Sequence, residues 1–450
     1  MIKLVNDVLW SVALVVLLGG GLYFSVKLKF PQLEFFSLFK GLKSTENGIS
    51  PFKSLTVSLA ARIGVGSLAG VALAIYIGGP GSVFWMWIAC IITSINAYCE
   101  TYLGAKYQLS DGDNYKGGPA FYIKSGLHDN GLAFSYALLV ILAYLVGFMS
   151  IQANTIAVSI NQLYGFSIVS IAVVLTIISF ISIMRGIDRI VSITSKLVPI
   201  MGIVYILLSI IVIVLNYEVI PQVFISIIKG AFNIKSFVSS FIPTFIIGIQ
   251  RGTFATEAGL GTGAIASSCT KTTDKVGLGL LQILGIYFTV FIVCTSTALI
   301  ILTSNYTSLN FDNMNGIELT SYALNYHLGS AGSFVLVLLV IMLAYSTIVA
   351  GYYYGECNLK YLIKNIKNCH IFILKCVVAV LLFVGSIVKS HIIWGTVDIL
   401  VAILAVINMY SLFRLRKEIV HDYYKFKKRE LFDIIYIGVI ICLVMIGILY

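Results

Sequence analysis

Apolar runs of roughly 20 residues recur along this chain, each long enough to cross a hydrocarbon core of about 30 Å as a helix. They fall at 7–26, 54–77, 82–107, 131–161, 166–184, 196–216, 239–265, 277–303, 332–355, 370–388, 392–412 and 431–450, with short polar or basic stretches between them. That pattern predicts about twelve membrane-spanning helices. No sustained alternation marks strands, and a backbone in lipid is satisfied only by helices or closed barrels, so the expected fold is all-α and polytopic. The first run carries Asp7 and is followed by no small-residue cleavage site, so it is expected to be a retained helix.

Composition supports the same reading: 59% of the 450 residues are hydrophobic and only 11% charged, which excludes a soluble chain with a wet surface. Charge placement orients the spans. With the 27–53 loop inside, nearly all of the 30 Lys and Arg lie in inward loops or at their helix ends, and the other side holds only Lys3, Lys229, Lys235 and Lys389. Both termini are then expected outside. The formal charge of +11 needs no nucleic-acid partner, because topology and an anionic inner leaflet account for the basic loops. The Ile and Lys richness points to a bacterial plasma membrane. The eight Cys show no metal-site spacing and are expected as free thiols.

Two runs differ from the rest. Ser58 to Gly81 carries Arg62 followed by Gly64, Gly66, Ser67 and Gly70; Phe241 to Gly263 carries Pro243, Gly248, Arg251, Gly252, Glu257, Gly259, Gly261 and Gly263. Clustered glycine makes unwinding cheap, at roughly 1 kcal/mol per Gly relative to Ala. An unwound turn frees amides that suit a carboxylate and carbonyls that suit a bare cation. Two readings stay open for the glycines, a binding turn or close helix packing. Two also stay open for Arg62, Arg251 and Glu257, which either gate a path or form buried structural pairs.

The broken runs are the second and seventh in order, the equivalent positions of a five-plus-five inverted repeat. The chain then divides into an extra helix and loop at 1–53, a first repeat at 54–216, a second repeat at 217–412, and a basic loop with a last helix at 413–450.

At these residues the chain resembles the alanine or glycine:cation symporter family. Arg62, Gly64, Gly66, Ala69, Gly70 and Val71 match its first broken helix, and Gly78 to Gly81 with Phe84 to Trp87 match the following Gly-Gly-Pro-Gly and Phe-Trp-Met-Trp blocks. GGPAFYI from Gly117, QAN from Gln152, Val198-Pro199 with Met201, RGTFATEAGLG from Arg251 and Ser346-Thr347 extend the likeness over about residues 50–412.

The resemblance implies a leucine-transporter-type fold and sodium-driven uptake of alanine or glycine, with sodium as coupling ion and no cofactor. Carried over by position, Gly64, Gly66 and Ser67 would receive the substrate carboxylate, and Gln152, Gly252 and Thr256 would line the pocket. Ser346 and Thr347 hydroxyls with carbonyls from Ala61 to Gly64 would hold sodium. Glu100, and Asp398 after Trp394, join Arg62, Arg251 and Glu257 as gating or structural charges. From the residues alone, Ser346 and Thr347 are open to a back-bond within their helix, and Gln152 to interhelical bonding.

The chain departs from the family pattern at Val65, Ser67, Thr256 and Thr289, where Thr or Ser, Asn, Asn and Asp are usual. The alternative is a proton-coupled or other-cargo transporter of the same fold. A channel would need a charged ring or pore loop. An enzyme would need a motif such as H-E-x-x-H, and none is present. All five His lie in loops or at span edges, which disfavours a histidine proton relay. The polar stretch 304–331 is read as a connector or lid, and the basic run 414–430 as a loop or a helix on the inner leaflet.

Overall fold

The computed structural model describes residues 2–43, 49–112, 114–232, 241–308, 316–388 and 390–429. Helix α1 (Ile2–Lys27) precedes a broken span of α2 (Pro51–Arg62) and α3 (Ala69–Gly78), then α4 (Gly81–Lys106). A hairpin of β1 (Leu109–Asp111) and β2 (Asn114–Lys116) leads to α5 (Pro119–Gly126). Next come α6 (Asn130–Tyr164), α7 (Ile168–Ile183), α8 (Gly186–Leu215) and α9 (Ile220–Ala231). A second broken span, α10 (Ile242–Thr256) and α11 (Thr262–Ser267), precedes α12 (Lys275–Leu302) and α13 (Gly316–Leu328). Helices α14 (Ser330–Leu362), α15 (Asn368–Ile387) and α16 (Ser390–Arg414) follow, and residues 416–429 are helical again.

Among the described residues eight helices are long and apolar enough to cross a membrane, nine when α2 and the bent segment Val65–Gly78 count as one span. Helix α7 and the α10–α11 pair occupy the other two apolar runs up to residue 412. The run 431–450 and Cys442 lie outside the described residues; the seven described cysteines are free thiols. Three helices stand where the apolar pattern predicts only connections. Helix α5 starts on Pro119, whose fixed φ suits a first helical position. Helices α9 and α13 are short and lie in the segments read as outer loops; part of the second, residues 309–315, lies outside the described residues.

Local chemistry sets the helix ends. The Ser50 hydroxyl accepts from the Lys53 amide at 3.3 Å and Pro51 opens α2. Asp129 caps α6 through the Leu132 amide at 2.9 Å, and Asp274 caps α12 through the Gly277 amide at 2.7 Å.

Segments assigned to one side by charge meet one another. Asp111 of the hairpin accepts from Lys360 at 2.8 Å and Lys116 at 3.0 Å, and Asn114 donates to Asp188 at 3.4 Å. Burial pushes the Asp111 carboxyl up, but the hydrogen bonds from Lys360 and Lys116 outweigh it and hold it below the usual carboxylate range. The helix over 416–429 is stapled to the same face: Lys106 pairs with Glu418 at 2.8 Å and Asp422 at 3.0 Å, and Tyr424 donates to the Lys27 carbonyl at 2.9 Å. On the opposite side Trp85 donates to the Ala231 carbonyl at 3.2 Å and Gln162 to Glu318 at 3.3 Å.

Both broken spans sit in the core, with Ser54 to Arg62 buried in α2 and Ile247 to Thr256 in α10. Close packing explains two of the glycines in α10. A Cβ on Gly248 would lie 2.8 Å from Trp85 Cβ, and one on Gly252 would lie 3.3 Å from Met86 Cα, so both let α10 approach α4.

Candidate functional site

The first break follows from sequence. Helix α2 ends at Arg62, Ile63 leaves the helical region, and Gly64 is extended at φ −108°. One tight turn, Val65–Ser67, then hands over to α3, and the axis bends by 62°. Gly64 lies against the Thr347 hydroxyl and the Gln152 amide group, where a Cβ would stand 3.2 Å from both Gln152 end atoms. Gly66 lies against Phe254, whose ring atoms would be 3.1 Å from an added Cβ.

The Val65 amide donates to Gln152 Oε1 at 3.1 Å, so Gln152 of α6 ties itself to the unwound turn. It follows a π-helical stretch, Leu142–Phe148, a local unwinding common at functional positions. The Ser67 amide donates to the Gly64 carbonyl at 3.1 Å, and the Ser67 carbonyl accepts from Thr297 at 2.8 Å.

Ser346 and Thr347 of α14 face the end of α2. Thr347 Oγ1 lies 2.8 Å from the Ala60 carbonyl oxygen and 3.5 Å from that of Ala61; Ser346 Oγ lies 3.4 Å from the Ala60 carbonyl. Both also reach the Leu343 carbonyl, at 3.0 and 2.8 Å, so the back-bond and the contact to α2 coexist. Of the α2 carbonyls, those of Ala60 and Ala61 stand by the hydroxyls, where Ala61 to Gly64 was expected; the Gly64 carbonyl instead closes the tight turn.

The second break is shaped by positive φ. Glu257 ends α10 at φ 53°, with Gly259 at 86° and Gly261 at 90° before α11 begins. Thr256, expected to line the pocket, instead bonds locally: its hydroxyl lies 3.3 Å from the Thr253 carbonyl and 3.4 Å from the Ala258 amide. Gly252, expected beside it, lies against Met86 and Ala89 of α4.

The charged residues separate into two groups. Arg251 makes a two-pronged pair with Asp398 of α16, at 2.8 and 3.3 Å, with both side chains almost wholly buried. Its guanidinium stands 5.7 Å from the Phe254 ring centre and 5.6 Å from that of Trp394. Phe254 is stacked on Phe148 at 5.0 Å, so the pair closes a column of aromatic rings beside Gly66.

The other group is Arg62, Glu100 and Glu257. Arg62 Nη1 donates to Gln282 Oε1 at 2.9 Å, while its Nε and Nη2 have no hydrogen-bond partner. Glu100 Oε2 accepts from the Gly261 amide at 2.9 Å and Asn408 at 3.0 Å; Glu257 Oε2 accepts from Thr262 at 2.7 Å. Gln282, Asn408, Thr297 and Phe254 are the site residues that sequence reasoning passed over. Gln282 and Asn408 had left a signal, each being a wholly polar amide inside an apolar run.

A helical membrane bundle with two broken helices meeting at its centre is the architecture of a secondary transporter, not of an enzyme. The chain belongs to the sodium:alanine symporter family, whose model matches residues 1–433. Three bacterial relatives are similar over most of their length. The amino-acid carrier protein AlsT of Bacillus subtilis (strain 168) is 34% identical over 439 residues, covering 96% of this chain and 93% of that one. The probable sodium/glutamine symporter GlnT of the same strain is 32% identical, over 95% and 91%. The sodium/proton-dependent alanine carrier protein of Bacillus sp. (strain PS3) is 34% identical, over 83% and 87%.

Among solved structures, MhsT in complex with L-phenylalanine matches with a TM-score of 0.57 at 12% identity, covering 82% of this chain and 89% of that one. A Na+-coupled sialic acid symporter matches with a TM-score of 0.54 at 12% identity, over 89% and 82%. The fold is therefore that of leucine-transporter-type carriers. The chain is a multi-pass protein of a bacterial plasma membrane and a cation-coupled amino-acid symporter.

Proposed function

We propose that this symporter couples inward movement of sodium to uptake of a small neutral amino acid, alanine or glycine before others. The observation that carries the reading is the meeting of the Ser346 and Thr347 hydroxyls with the Ala60 and Ala61 carbonyls beside the break at Gly64. Hydroxyl and carbonyl oxygens are the hard ligands a bare sodium ion takes. Each hydroxyl can keep its proton on the Leu343 carbonyl and turn its lone pairs to the ion. Sodium held there ties the end of α2 to α14 and fixes the Gly64–Ser67 turn.

The substrate carboxylate takes the Gly64 and Gly66 amides of that turn, whose Ser67 amide is already held by the Gly64 carbonyl, and Gln152 orients the turn through Val65. Phe254, pressed against Gly66, borders the place the substrate side chain would take. Arg251 and Asp398 close the outer approach. The two repeats, 54–216 and 217–412, then rock about this centre. Alanine is favoured by the family's name and by the PS3 relative's; glutamine is the second candidate, since GlnT is named for it.

The test is sodium dependence. Ser346→Ala with Thr347→Ala is expected to raise the half-saturating sodium concentration at least about tenfold while membrane insertion is kept, two hydroxyl ligands having been lost. An unchanged sodium affinity would remove the ion from this place.

A further inference from the structure

We propose that Glu257, at the hinge between α10 and α11, holds an exchangeable proton, making it a protonation site in the transport cycle of this carrier; the cycle itself rests on the function proposed above.

The argument begins with charge. Arg62, Glu100 and Glu257 are each at most 2% exposed, and together they bring two carboxylates to one guanidinium. The titratable groups facing them from the packed helices are Tyr122, Tyr136, Tyr144, Tyr354 and Cys99, none of them cationic. One negative charge in excess, away from water, is costly unless neutralised. A metal cation is a poor candidate. Arg62 Nη2 and Glu100 Oε1 converge on the space over Gly263, where a side chain would meet both, so the guanidinium already fills the cationic place. A proton neutralises the cluster without a second cation.

Hydrogen bonding decides which carboxyl carries it. Glu100 Oε2 accepts two N–H donors, from Gly261 and Asn408, and donors of that kind stabilise the ionised form. One oxygen of each carboxyl, Glu100 Oε1 and Glu257 Oε1, is buried without a close hydrogen-bond partner, but the groups beside Glu257 are the hydroxyls of Thr262 and Tyr144, and a hydroxyl, unlike an N–H donor, can turn to accept from a protonated carboxyl. Glu257 is also the residue whose surroundings would change with the bend of this span. It sits at φ 53° between the two halves of the span, and its bond to Thr262 joins the end of α10 to the start of α11. A change of bend alters that bond and the distance to Arg62 together, which releases the proton to water or takes it up again.

The measurement is the infrared absorption of protonated carboxyl groups in the purified full-length protein, titrated from about pH 5 to about pH 9. Wild type is expected to show a protonated-carboxyl band that fades with rising pH. Glu257→Gln should lose one group's share of it, and Glu257→Asp should keep a titrating band. An unchanged band in Glu257→Gln, or a band in wild type that does not titrate, would overturn the proposal. In proteoliposomes the uptake rate of the proposed amino acid should change about fivefold across the same range in wild type and stay flat in Glu257→Gln. The infrared signal does not depend on cargo. Absence of amino-acid transport with a normal band would count against the function proposed above and leave the proton site standing.

Discussion

At the scale of single residues, space and charge at the breaks make sharp demands. A Cβ on Gly64 would fall on the Thr347 hydroxyl and crowd Gln152, so Gly64→Ala is expected to cost about 1–3 kcal/mol of overpacking in the substrate-bound state. Equilibrium binding of labelled alanine to the purified variant checks this; binding equal to wild type would place the site elsewhere. Arg251 and Asp398 are the clearest buried pair. Removing one partner strands the other, so Arg251→Gln should lose about 3–5 kcal/mol of stability. Arg251→Gln with Asp398→Asn should recover most of it in a thermal melt while still transporting poorly, because the gate would have lost its charge. Recovery of both stability and transport would make the pair structural only.

Part of this residue-level picture was legible in sequence and part was not. Arg62, Arg251 and Glu257 announced themselves as charges in apolar, glycine-rich runs. Their pairings did not: Asp398 was singled out as well, but it lies 147 positions from Arg251 and Gln282 lies 220 from Arg62, and no local pattern encodes such distances. Gly252 was ambiguous for a related reason. A packing glycine and a binding glycine have the same composition signature, and only the approach of Met86 separates them.

At the scale of elements, the apolar period located every described span, because the bilayer fixes helix length more firmly than propensity does. What it did not show was the short helices between spans, since α9 and α13 are set by docking onto the bundle. One docking contact is titratable. His327 of α13 lies 3.0 Å from the Ile300 carbonyl through Nε2, and 3.2 Å from the Asn216 side-chain nitrogen through Nδ1, so it is held neutral. Burial pushes its imidazole below the ordinary value, the bond to Ile300 acting against the shift.

A folded-state value below the unfolded one means that this contribution is fully present above about pH 6.5 and is lost as pH falls through the lower folded value. The melting temperature of the wild type is therefore expected to fall below about pH 6.5 more steeply than that of His327→Gln. Equal slopes would show that His327 contributes nothing to the acid sensitivity.

At the scale of the whole molecule, two broken helices cross at one centre, with the Ser346 and Thr347 hydroxyls against the end of α2 on one flank and the buried Arg251–Asp398 pair on the other. The likeness of positions two and seven is what pointed to a repeat in the sequence, and the likeness to carriers of known structure shows the same fold. The central claim is coupled uptake, and it is tested most directly in proteoliposomes. Radiolabelled alanine, glycine, serine and glutamine are offered with and without an inward sodium gradient. The account predicts accumulation of alanine or glycine above equilibrium only when the gradient is present; accumulation that ignores sodium, or none of any of the four, would contradict it.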